Sequence, residues 1–464
     1  MTDWCPDLTS SNAPRYIAIA DSIEADLSTG RLTPGDRLPA QRHLAKTLGL
    51  DFTTVARGYT EARRRGLLSS QVGSGTYVAD PENPFARSTE DLGPRRSSLP
   101  DFSMNLPPEP DSPALSDKMR IGFAAVSQDL IPLLRYQSFE ASEPDQAAAA
   151  RWLEGAGLTA KPEQVLFSPG AQAALANILT TLTEPGDRIA CEAVTYPGIR
   201  SICAQLHLEL TGLETDADGI VPDAFKAACI SGGLKALYLN PTLHNPTTRT
   251  VPFKRRKELA AIAQSFGIPI LEDDAYGLIS PKAPLPFAAI APDITWYICS
   301  LSKCLGAGLR LAYVVAPNQG AAWQFSRAIR TSQVMPSPLT VALATRWIED
   351  GTATALLEAI RSESAARQIL AAKHLKNDAI LSDPDGFHLW LCLSNGWGRS
   401  AFVSQLRNLQ IGIVEADAFT VSGTPADAVR LGLGGPLSRA QLANALEIVA
   451  QTLAASPARA SVYF

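Results

Sequence analysis

The sequence has few cysteines and no long apolar run, and both absences narrow the class of protein. Seven cysteines are scattered over 464 residues, and no two are spaced as CxxC. This pattern disfavours a disulfide framework or a structural zinc site, so we expect reduced thiols and no bound metal. No stretch approaches the roughly 20 consecutive apolar residues of a membrane span, and the acidic N-terminus lacks the features of a secretion signal. We therefore expect a cytoplasmic protein.

The composition is that of a folded protein with several domains. Apolar residues make up 46% of the chain and charged residues 19%, which excludes disordered and fibrous classes. At roughly 100–200 residues per domain, the length predicts about three domains. The net charge of −5 argues against a nucleic-acid partner when it is taken as an average.

The charge is nevertheless distributed unevenly. Seven cations and two anions lie between Arg37 and Arg65, so this short stretch carries 7 − 2 = +5. Eight prolines then fall between Ala79 and Leu115, a composition typical of a semi-extended linker. These features predict a head over residues 1–78, a linker over 79–114 and a large body over 115–464.

The head has the pattern of a helix-turn-helix domain with a wing. Apolar spacing predicts a helix over residues 12–27, and a second helix over 39–48 ends at Gly49. Asp51 is placed to cap the N-terminus of a third helix that runs to about residue 65. The segment 67–78 predicts a two-stranded wing with a glycine-rich tip. Such a third helix can enter the DNA major groove, although a small helical domain with a solvated charged face fits the pattern about equally well.

The string GDRLPAQRHLAKTLGLDFTTVARGYTEARRRGLLSSQVGSGTYV resembles the winged-helix domain of GntR-type bacterial regulators. The resemblance implies a double-stranded DNA partner. The chain departs from the family at Phe52, where arginine is frequent, so no base preference is transferred. The DNA-facing positions implied by the resemblance are Arg42, Thr53, Thr54, Arg57, Gly73, Ser74, Gly75 and Thr76.

The body alternates short apolar runs with amphipathic helical patterns. VLF (165–167), RIAC (188–191), ALYL (236–239), IPIL (268–271) and WYIC (296–299) have the character of strands. This βαβ rhythm predicts an α/β body with a mostly parallel sheet that is buried on both faces. We expect ligand-binding residues at the carboxyl ends of these strands.

Polar residues that follow the strands match the needs of pyridoxal phosphate. Lys303 follows WYIC and offers an amine for a Schiff base, and Asp273 follows IPIL and offers a carboxylate for the pyridine nitrogen. Gly170, Ala171 and Gln172 begin a helix whose amide groups can bind a phosphate. Taken singly, each signal is more often a surface lysine, a solvated turn or an ordinary ion pair.

Taken together, HNPTT, EDDAYG, SLSK followed by Arg310, and a late VRLG resemble fold-type I aminotransferases over residues 115–455. The resemblance implies a large lobe at about residues 150–330 and a small lobe from the flanking segments. It assigns the Schiff base to Lys303 and an effector carboxylate to Arg430. Tyr136 matches a tyrosine that reaches the cofactor phosphate of a partner subunit. The other implied cofactor contacts are Tyr196, Asn245, Asp273, Tyr276, Ser300, Ser302 and Arg310.

A GntR-type head joined to such a body resembles the MocR subfamily of bacterial regulators. The resemblance implies a transcription factor that senses a small amino compound through an external aldimine at Lys303, and a head-to-tail homodimer on a paired DNA site. Two alternatives remain open at this stage. One is an active aminotransferase with a vestigial head, and the other is a regulator whose body binds its ligand without the cofactor.

Overall fold

The structure is a computed structural model that describes residues 4–8, 13–71, 75–79, 100–137, 141–375, 380–455 and 457. The chain divides into two compact units, with the division between residues 96 and 97. Each unit has its own apolar core. Within the described ranges, no helix combines the length and the apolar character needed to cross a membrane.

The first unit is a three-helix domain with a small antiparallel ribbon, as the sequence predicts. Ile19 from the first helix and Val55 and Tyr59 from the third are fully buried in its core. The Tyr59 hydroxyl donates a hydrogen bond to the Pro39 carbonyl oxygen at 2.8 Å. Its elements are α1 (Arg15–Ser28), α2 (Gln41–Leu48), α3 (Phe52–Arg64), β1 (Leu68–Gln71) and β2 (Gly75–Val78).

The turn between α2 and α3 is defined by two residues. Gly49 ends α2 with φ of +65°, a left-handed conformation that glycine adopts without steric cost. The Asp51 carboxylate then accepts a hydrogen bond from the Thr53 backbone amide at 2.7 Å, which confirms the predicted N-cap of α3. A tight turn and a capped helix together present the N-terminal end of α3 to solvent.

The second unit is an α/β body. Its helices are α4 (Pro113–Ser127), α5 (Leu130–Leu133), α6 (Glu143–Glu154), α7 (Ala171–Leu182), α8 (Pro197–Gln205), α9 (Pro222–Ile230), α10 (Phe253–Phe266), α11 (Phe287–Ile290), α12 (Gln319–Gln333), α13 (Pro338–Glu349), α14 (Thr352–His374), α15 (Arg399–Asn408) and α16 (Arg439–Ala454). Its strands are β3 (Val165–Ser168), β4 (Arg188–Glu192), β5 (Glu209–Leu213), β6 (Thr215–Asp216), β7 (Gly219–Ile220), β8 (Leu234–Leu239), β9 (Ile270–Asp273), β10 (Thr295–Ser300), β11 (Ala312–Val315), β12 (Ile380–Ser382), β13 (His388–Cys392), β14 (Val414–Glu415) and β15 (Ala428–Gly432).

The large lobe is built on a seven-stranded sheet in the order β3-β11-β10-β9-β8-β4-β5. The pairs from β10 to β5 are parallel, and β11 runs antiparallel to both of its neighbours. Separate apolar clusters cover the sheet. Because parallel strands end at the same edge, the residues that follow β8, β9 and β10 meet there.

The small lobe carries an antiparallel sheet in the order β12-β13-β15-β14. Its core includes Phe102, Leu431 and Leu446. Strand β15 carries Arg430, which is in register with Trp390 of β13 and Val414 of β14. The sheet therefore places one arginine at a defined position between two neighbouring strands.

Part of the predicted linker belongs to the body. Residues 80–99 lie outside the described residues, whereas residues 100–112 pack against the small lobe. Phe102 is fully buried in the small-lobe core, and Pro108 forms a β-bridge with Gly435. The proline-rich composition predicts a semi-extended linker, but the burial of Phe102 attaches this part of the chain to the body.

A buried ion pair lies beneath the end of β9. Arg256 on α10 and Glu272 on β9 are fully buried, and their N and O atoms are 3.4 Å apart. Glu272 also accepts hydrogen bonds from the backbone amides of Phe287 and Ala288 at 2.9 and 3.0 Å. Burial raises the Glu272 pKa to about 7, and the Arg256 charge opposes this rise.

Replacing Arg256 with methionine is expected to lower the free energy of unfolding by about 3–5 kcal/mol, because Glu272 then stays buried without its cation. Urea unfolding followed by tryptophan fluorescence measures the change. Lys254→Ala on the same helix is the control, since the Lys254 side chain is 91% exposed, and its effect should stay below about 0.5 kcal/mol. Equal losses in the two variants would contradict the assigned role of the buried pair.

Candidate functional site

A cavity of about 460 Å³ lies at the carboxyl edge of the large sheet, next to β15 of the small lobe. Residues from separate parts of the chain line it. Those that the sequence singled out are Ala171, Gln172, Tyr196, Asn245, Asp273, Tyr276, Ser300, Ser302, Lys303, Arg310 and Arg430. Gly170 lies beside the cavity, since a Cβ atom built there would lie 3.1 Å from Arg310 Nη2. The fold thus brings these residues together.

Lys303 lies in a short π-helical segment, Ser302–Gly306, that directly follows β10. Its Nζ donates a hydrogen bond to the main-chain carbonyl oxygen of Asn105. Burial and the nearby Arg430 charge lower the Lys303 pKa to about 8, and Asp273 opposes the shift. A lysine with a lowered pKa supplies more neutral amine near pH 7, which is the form that attacks a carbonyl carbon.

Asp273 ends β9 and is almost fully buried. Its Oδ2 accepts a hydrogen bond from the Tyr238 hydroxyl at 2.9 Å, and its main-chain oxygen accepts one from Asn240 Nδ2 at 2.7 Å. Burial raises the Asp273 pKa to about 6, while the Tyr238 hydrogen bond opposes the rise. Its Oδ1 is buried with no hydrogen-bond partner in the described part of the chain. That oxygen can accept a hydrogen bond from a protonated ring nitrogen.

Another group of residues in the cavity has the features of an anion site. The helix α7 begins there after Gly170, which has φ of +95°, and its first amide groups lack intrahelical acceptors. The Arg310 guanidinium lies beside Gly170, and Ser300 and Ser302 line the same cavity. A helix N-terminus, an arginine and two hydroxyl groups suit a phosphate.

Two tyrosines and an asparagine also line the cavity. The Tyr196 hydroxyl accepts a hydrogen bond from Gln172 Nε2 at 3.0 Å. The Tyr276 hydroxyl accepts one from Asn105 Nδ2 at 2.8 Å. Asn245 Oδ1 accepts one from Arg430 Nη1 at 3.3 Å. These side chains are therefore held by neighbours rather than by water alone.

Arg430 is 5% exposed and is held from several sides. Its Nη2 donates a hydrogen bond to the Ser103 carbonyl oxygen, and its guanidinium lies 5.3 Å from the centroid of the Phe419 ring. Nε has no hydrogen-bond partner among the described residues. Burial lowers the Arg430 pKa. A buried guanidinium with a free donor suits an acid group.

Tyr136 is the one body residue of the predicted set that the structure places away from the cavity. It is 78% exposed, and the Arg330 guanidinium lies 6.0 Å from its ring centroid. The prediction concerned the phosphate of a second subunit, so the position within one chain does not test it.

Sequence reasoning missed several residues that hold or line the site, among them Tyr238, Asn240, Ser103 and Asn105. Tyr238 lies within an apolar strand, so nothing in the sequence pattern distinguishes it from a core residue. Asn240 directly follows that strand, and a polar residue at this position could have been predicted as a site residue. Ser103 and Asn105 lie in the segment assigned to the linker, where no periodicity marked them.

In the head, the predicted DNA-facing side chains flank the turn before α3. Thr53 and Arg57 are exposed and Thr54 is half-buried. The Arg57 guanidinium lies 4.4 Å from the centroid of the Tyr16 ring, and that of Arg42 lies 5.9 Å from the Phe52 centroid. These cation–π contacts orient both arginines.

The predicted wing exists as a paired ribbon. Gly75 and Thr76 lie in β2, where they are in register with Gln71 and Ser70 of β1. Gly73 and Ser74, the predicted tip, lie outside the described residues.

The charge count of the head needs a correction. Arg65 bonds Asp21 and Glu24 of α1 at 2.7 and 3.0 Å, and both Arg64 and Arg65 bond Glu61. The value of +5 over residues 37–65 therefore overstates the charge available to DNA, because Asp21 and Glu24 lie outside that window. The arginine hydrogen bonds also lower the Glu61 pKa to about 2, so its carboxylate stays ionised.

The comparisons with known families agree with this architecture. The model of the GntR family of bacterial regulatory proteins matches residues 15–78, and the model of class I and II aminotransferases matches residues 116–449. The HTH-type transcriptional regulator YdeF of Bacillus subtilis is 30% identical over 452 residues, which cover 97% of this chain and 96% of YdeF. The chain belongs to the MocR subfamily of GntR-type regulators.

Other known proteins are similar either to nearly the whole chain or to most of it. PtsJ of Salmonella typhimurium, a vitamin B6 salvage pathway transcriptional repressor, is 29% identical over 89% of this chain and 93% of its own. Among solved structures, the α-aminoadipate aminotransferase LysN of Thermus thermophilus has a TM-score of 0.68 at 22% identity and covers 76% of this chain and 92% of LysN. This MocR chain thus has an aminotransferase fold over most of its length.

The residues of this MocR protein fit pyridoxal phosphate, the cofactor of class I and II aminotransferases. The orphaned Oδ1 of Asp273 suits the ring nitrogen, Lys303 supplies the amine, and the N-terminus of α7 suits the phosphate. Thr248, the last residue of the HNPTT loop, adopts φ of +63°. The loop therefore keeps a conformation that favours glycine, although threonine has a steric cost there.

Replacing Tyr238 with phenylalanine is expected to raise the Asp273 pKa, because the hydroxyl stabilises the ionised carboxylate. If the protein keeps its cofactor only while this carboxylate is ionised, the variant should lose the cofactor at a higher pH than the wild type does. Dialysis at a series of pH values between about 5 and 8, followed by cofactor absorbance, measures the shift.

The matched control is Tyr313→Phe, since the buried Tyr313 hydroxyl has no hydrogen-bond partner within the described ranges. This variant should keep the wild-type pH profile. An unchanged profile in Tyr238→Phe would show that the hydroxyl does not hold the carboxylate.

Proposed function

We propose that this MocR regulator carries pyridoxal phosphate on Lys303 and uses the body to sense a small amino compound that bears an acid group. The observation that carries the proposal is the placement of Lys303, Asp273 and Arg430 around one cavity at the lobe junction. When bound, the cofactor supplies a carbon atom at which one primary amine can replace another. The electron-withdrawing ring of the cofactor favours this exchange.

The chain's own residues give each part of this site a role. Asp273 Oδ1 holds a proton on the ring nitrogen, while the Tyr238 hydroxyl bonds the other carboxylate oxygen and Asn240 bonds the Asp273 main-chain oxygen. Lys303 has a lowered pKa, so its neutral amine is available both to hold the cofactor and to leave when another amine arrives. Arg430 then binds the acid group of the incoming compound.

The phosphate and ring contacts position the cofactor. Ala171 and Gln172 offer backbone amides, while Ser300, Ser302 and Arg310 surround the same end of the cavity. Tyr196, Asn245 and Tyr276 line the same cavity. Tyr196 would stack on the ring, and Asn245 and Tyr276 would donate to its phenolate oxygen. Tyr136 would reach the phosphate of a second subunit in a head-to-tail homodimer.

The head binds the operator. Arg42 and Arg57 contact phosphates or base edges, Thr53 and Thr54 lie at the leading end of α3, and the wing approaches the backbone. A dimer carries two heads, so it binds a paired or repeated DNA site. The effector regulates binding only if it has a higher affinity for one arrangement of the heads than for another.

Replacing Lys303 with alanine is expected to abolish the absorbance of the protein-linked cofactor and the response of DNA binding to amino compounds, because the attaching amine is gone. Absorbance spectra and gel shifts on the DNA upstream of its own gene measure both effects. Lys282→Ala, which removes an exposed lysine, is the control and should behave as wild type. A retained effector response in Lys303→Ala would overturn the proposal, and steady keto-acid production by the wild type would favour an aminotransferase instead.

Replacing both Arg42 and Arg57 with alanine is expected to weaken operator binding at least about tenfold and to reduce its salt dependence, because about two phosphate or base contacts are lost. Cofactor absorbance should not change. Arg31→Ala, which removes an exposed head arginine outside α2 and α3, should keep near wild-type affinity. Wild-type affinity in the double variant would exclude this face of the head as the DNA contact.

A further inference from the structure

Another buried carboxylate lies close to the cofactor site without lining it. Glu192 is the last residue of β4 and is 4% exposed. It is absent from the lining of the large cavity and instead lines a separate cavity of about 90 Å³ beside His244. A buried carboxylate is costly unless its oxygens are paired. In the described part of the chain, two hydrogen bonds rather than a cation hold it.

One carboxylate oxygen closes the turn that leads from β4 to α8. Glu192 Oε2 accepts a hydrogen bond from the Thr195 hydroxyl at 3.0 Å, and Thr195 is fully buried. Tyr196 follows directly and lines the large cavity as the N-cap residue of α8. The turn therefore sets where the Tyr196 backbone reaches the cavity, while Gln172 bonds the hydroxyl at the other end of that side chain.

The other oxygen reaches the end of β8, the strand beside β4 in the sheet. Glu192 Oε1 accepts a hydrogen bond from the Asn240 main-chain amide at 3.4 Å, the longer of the two bonds. The Asn240 side chain bonds two further residues of the site. Its Nδ2 donates to the Asp273 main-chain oxygen at 2.7 Å, and its Oδ1 accepts from the Asn245 amide at 2.9 Å. The position of Asn240 therefore affects two residues that line the cavity.

Both bonds of Glu192 can persist in either protonation state. Burial raises the Glu192 pKa to about 7, the bonds from Thr195 and Asn240 oppose the rise, and the Asp273 charge adds to it. A protonated carboxyl group keeps one oxygen that can accept from Asn240, and its O–H can donate to the Thr195 hydroxyl, which is also an acceptor. The role of this group is therefore geometric and does not require its charge.

We propose that Glu192 is a positioning residue of the cofactor site. Its bond to Thr195 fixes the backbone of Tyr196. Its bond to Asn240 fixes the backbone of Asp273. The inference rests on the proposed function and adds to it a group that acts on the cofactor without touching it. Because the tyrosine would bind the face of the ring and the aspartate its nitrogen, one carboxyl group sets the ring in two directions.

Four substitutions separate the two links. Glu192→Ala removes both bonds, whereas Glu192→Gln keeps an oxygen that accepts from Asn240 and an amide that donates to the Thr195 hydroxyl. Thr195→Val removes only the hydroxyl link, because valine has a similar size and the Thr195 amide keeps its bond to the Phe419 carbonyl oxygen. Thr195→Ser retains a hydroxyl and is the matched control.

The test uses the full chain and pyridoxal phosphate as the probe. Absorbance titration measures cofactor affinity, and visible circular dichroism at full saturation reports the surroundings of the ring, since the free cofactor is achiral. Glu192→Ala should bind the cofactor at least about fivefold more weakly, because a buried amide and a buried hydroxyl lose their acceptor, and should show reduced dichroism. Glu192→Gln should behave as the wild type.

The threonine variants should separate dichroism from affinity. Thr195→Val should lose dichroism while keeping most of its cofactor affinity, since the Asn240 link is intact, and Thr195→Ser should match the wild type. A residue that only stabilised the fold would lower the unfolding temperature and leave the dichroism of the bound ring unchanged.

Three results would overturn the proposal. They are wild-type affinity and dichroism in Glu192→Ala, a Glu192→Gln variant as weak as Glu192→Ala, and equal dichroism in Thr195→Val and Thr195→Ser. The last comparison decides the matter if Glu192→Ala does not fold. The proposed function fails on different results, namely a wild type that links no cofactor or a Lys303→Ala variant that keeps the linkage.

Discussion

The burial of the Asp273 carboxylate is the constraint on which the rest of the site depends. A buried carboxylate is costly unless it is paired. The fold supplies the Tyr238 hydroxyl to Oδ2 and the Asn240 amide to the Asp273 main-chain oxygen, and it leaves Oδ1 without a partner among the described residues. The parallel sheet makes this possible, because β8 and β9 deliver all three residues to the same edge. Lys303 and Arg430 then add positive charge to the same cavity. The site thus contains charged side chains with atoms, Asp273 Oδ1 and Arg430 Nε, that have no hydrogen-bond partner among the described residues and that a ligand could pair.

The small lobe contributes fewer residues to the cavity than the large lobe does, but one of them is the buried cation Arg430. Arg430 is held in register by two neighbouring strands and lies over Phe419. Further contacts join the lobes, since Arg200 of the large lobe donates to the carbonyls of Asp417 and Ala418. The cavity is therefore shaped by elements that are distant in sequence, and the small lobe controls it chiefly through one arginine and the backbone that crosses it.

Much of this arrangement could be predicted from the sequence, because the signals were local. Strand ends followed by Asp273 or Lys303, and the Asp51 cap after Gly49, are patterns of a few residues. The rest depended on distant pairings. Arg65 bonds Asp21 and Glu24, which lie 44 and 41 residues away, so a window count overstated the basic face. Residues 102–106 were assigned to a linker because proline-rich composition does not reveal that Phe102 is buried.

Two glycines of the small lobe limit how this body can change over evolutionary time. Gly432 and Gly434 face the backbone of residues 102–107, and any side chain there would collide with that backbone. Neither glycine is among the residues that line the cavity. Substitutions at these two positions are therefore expected to change the packing of the small lobe before they change the chemistry of the site.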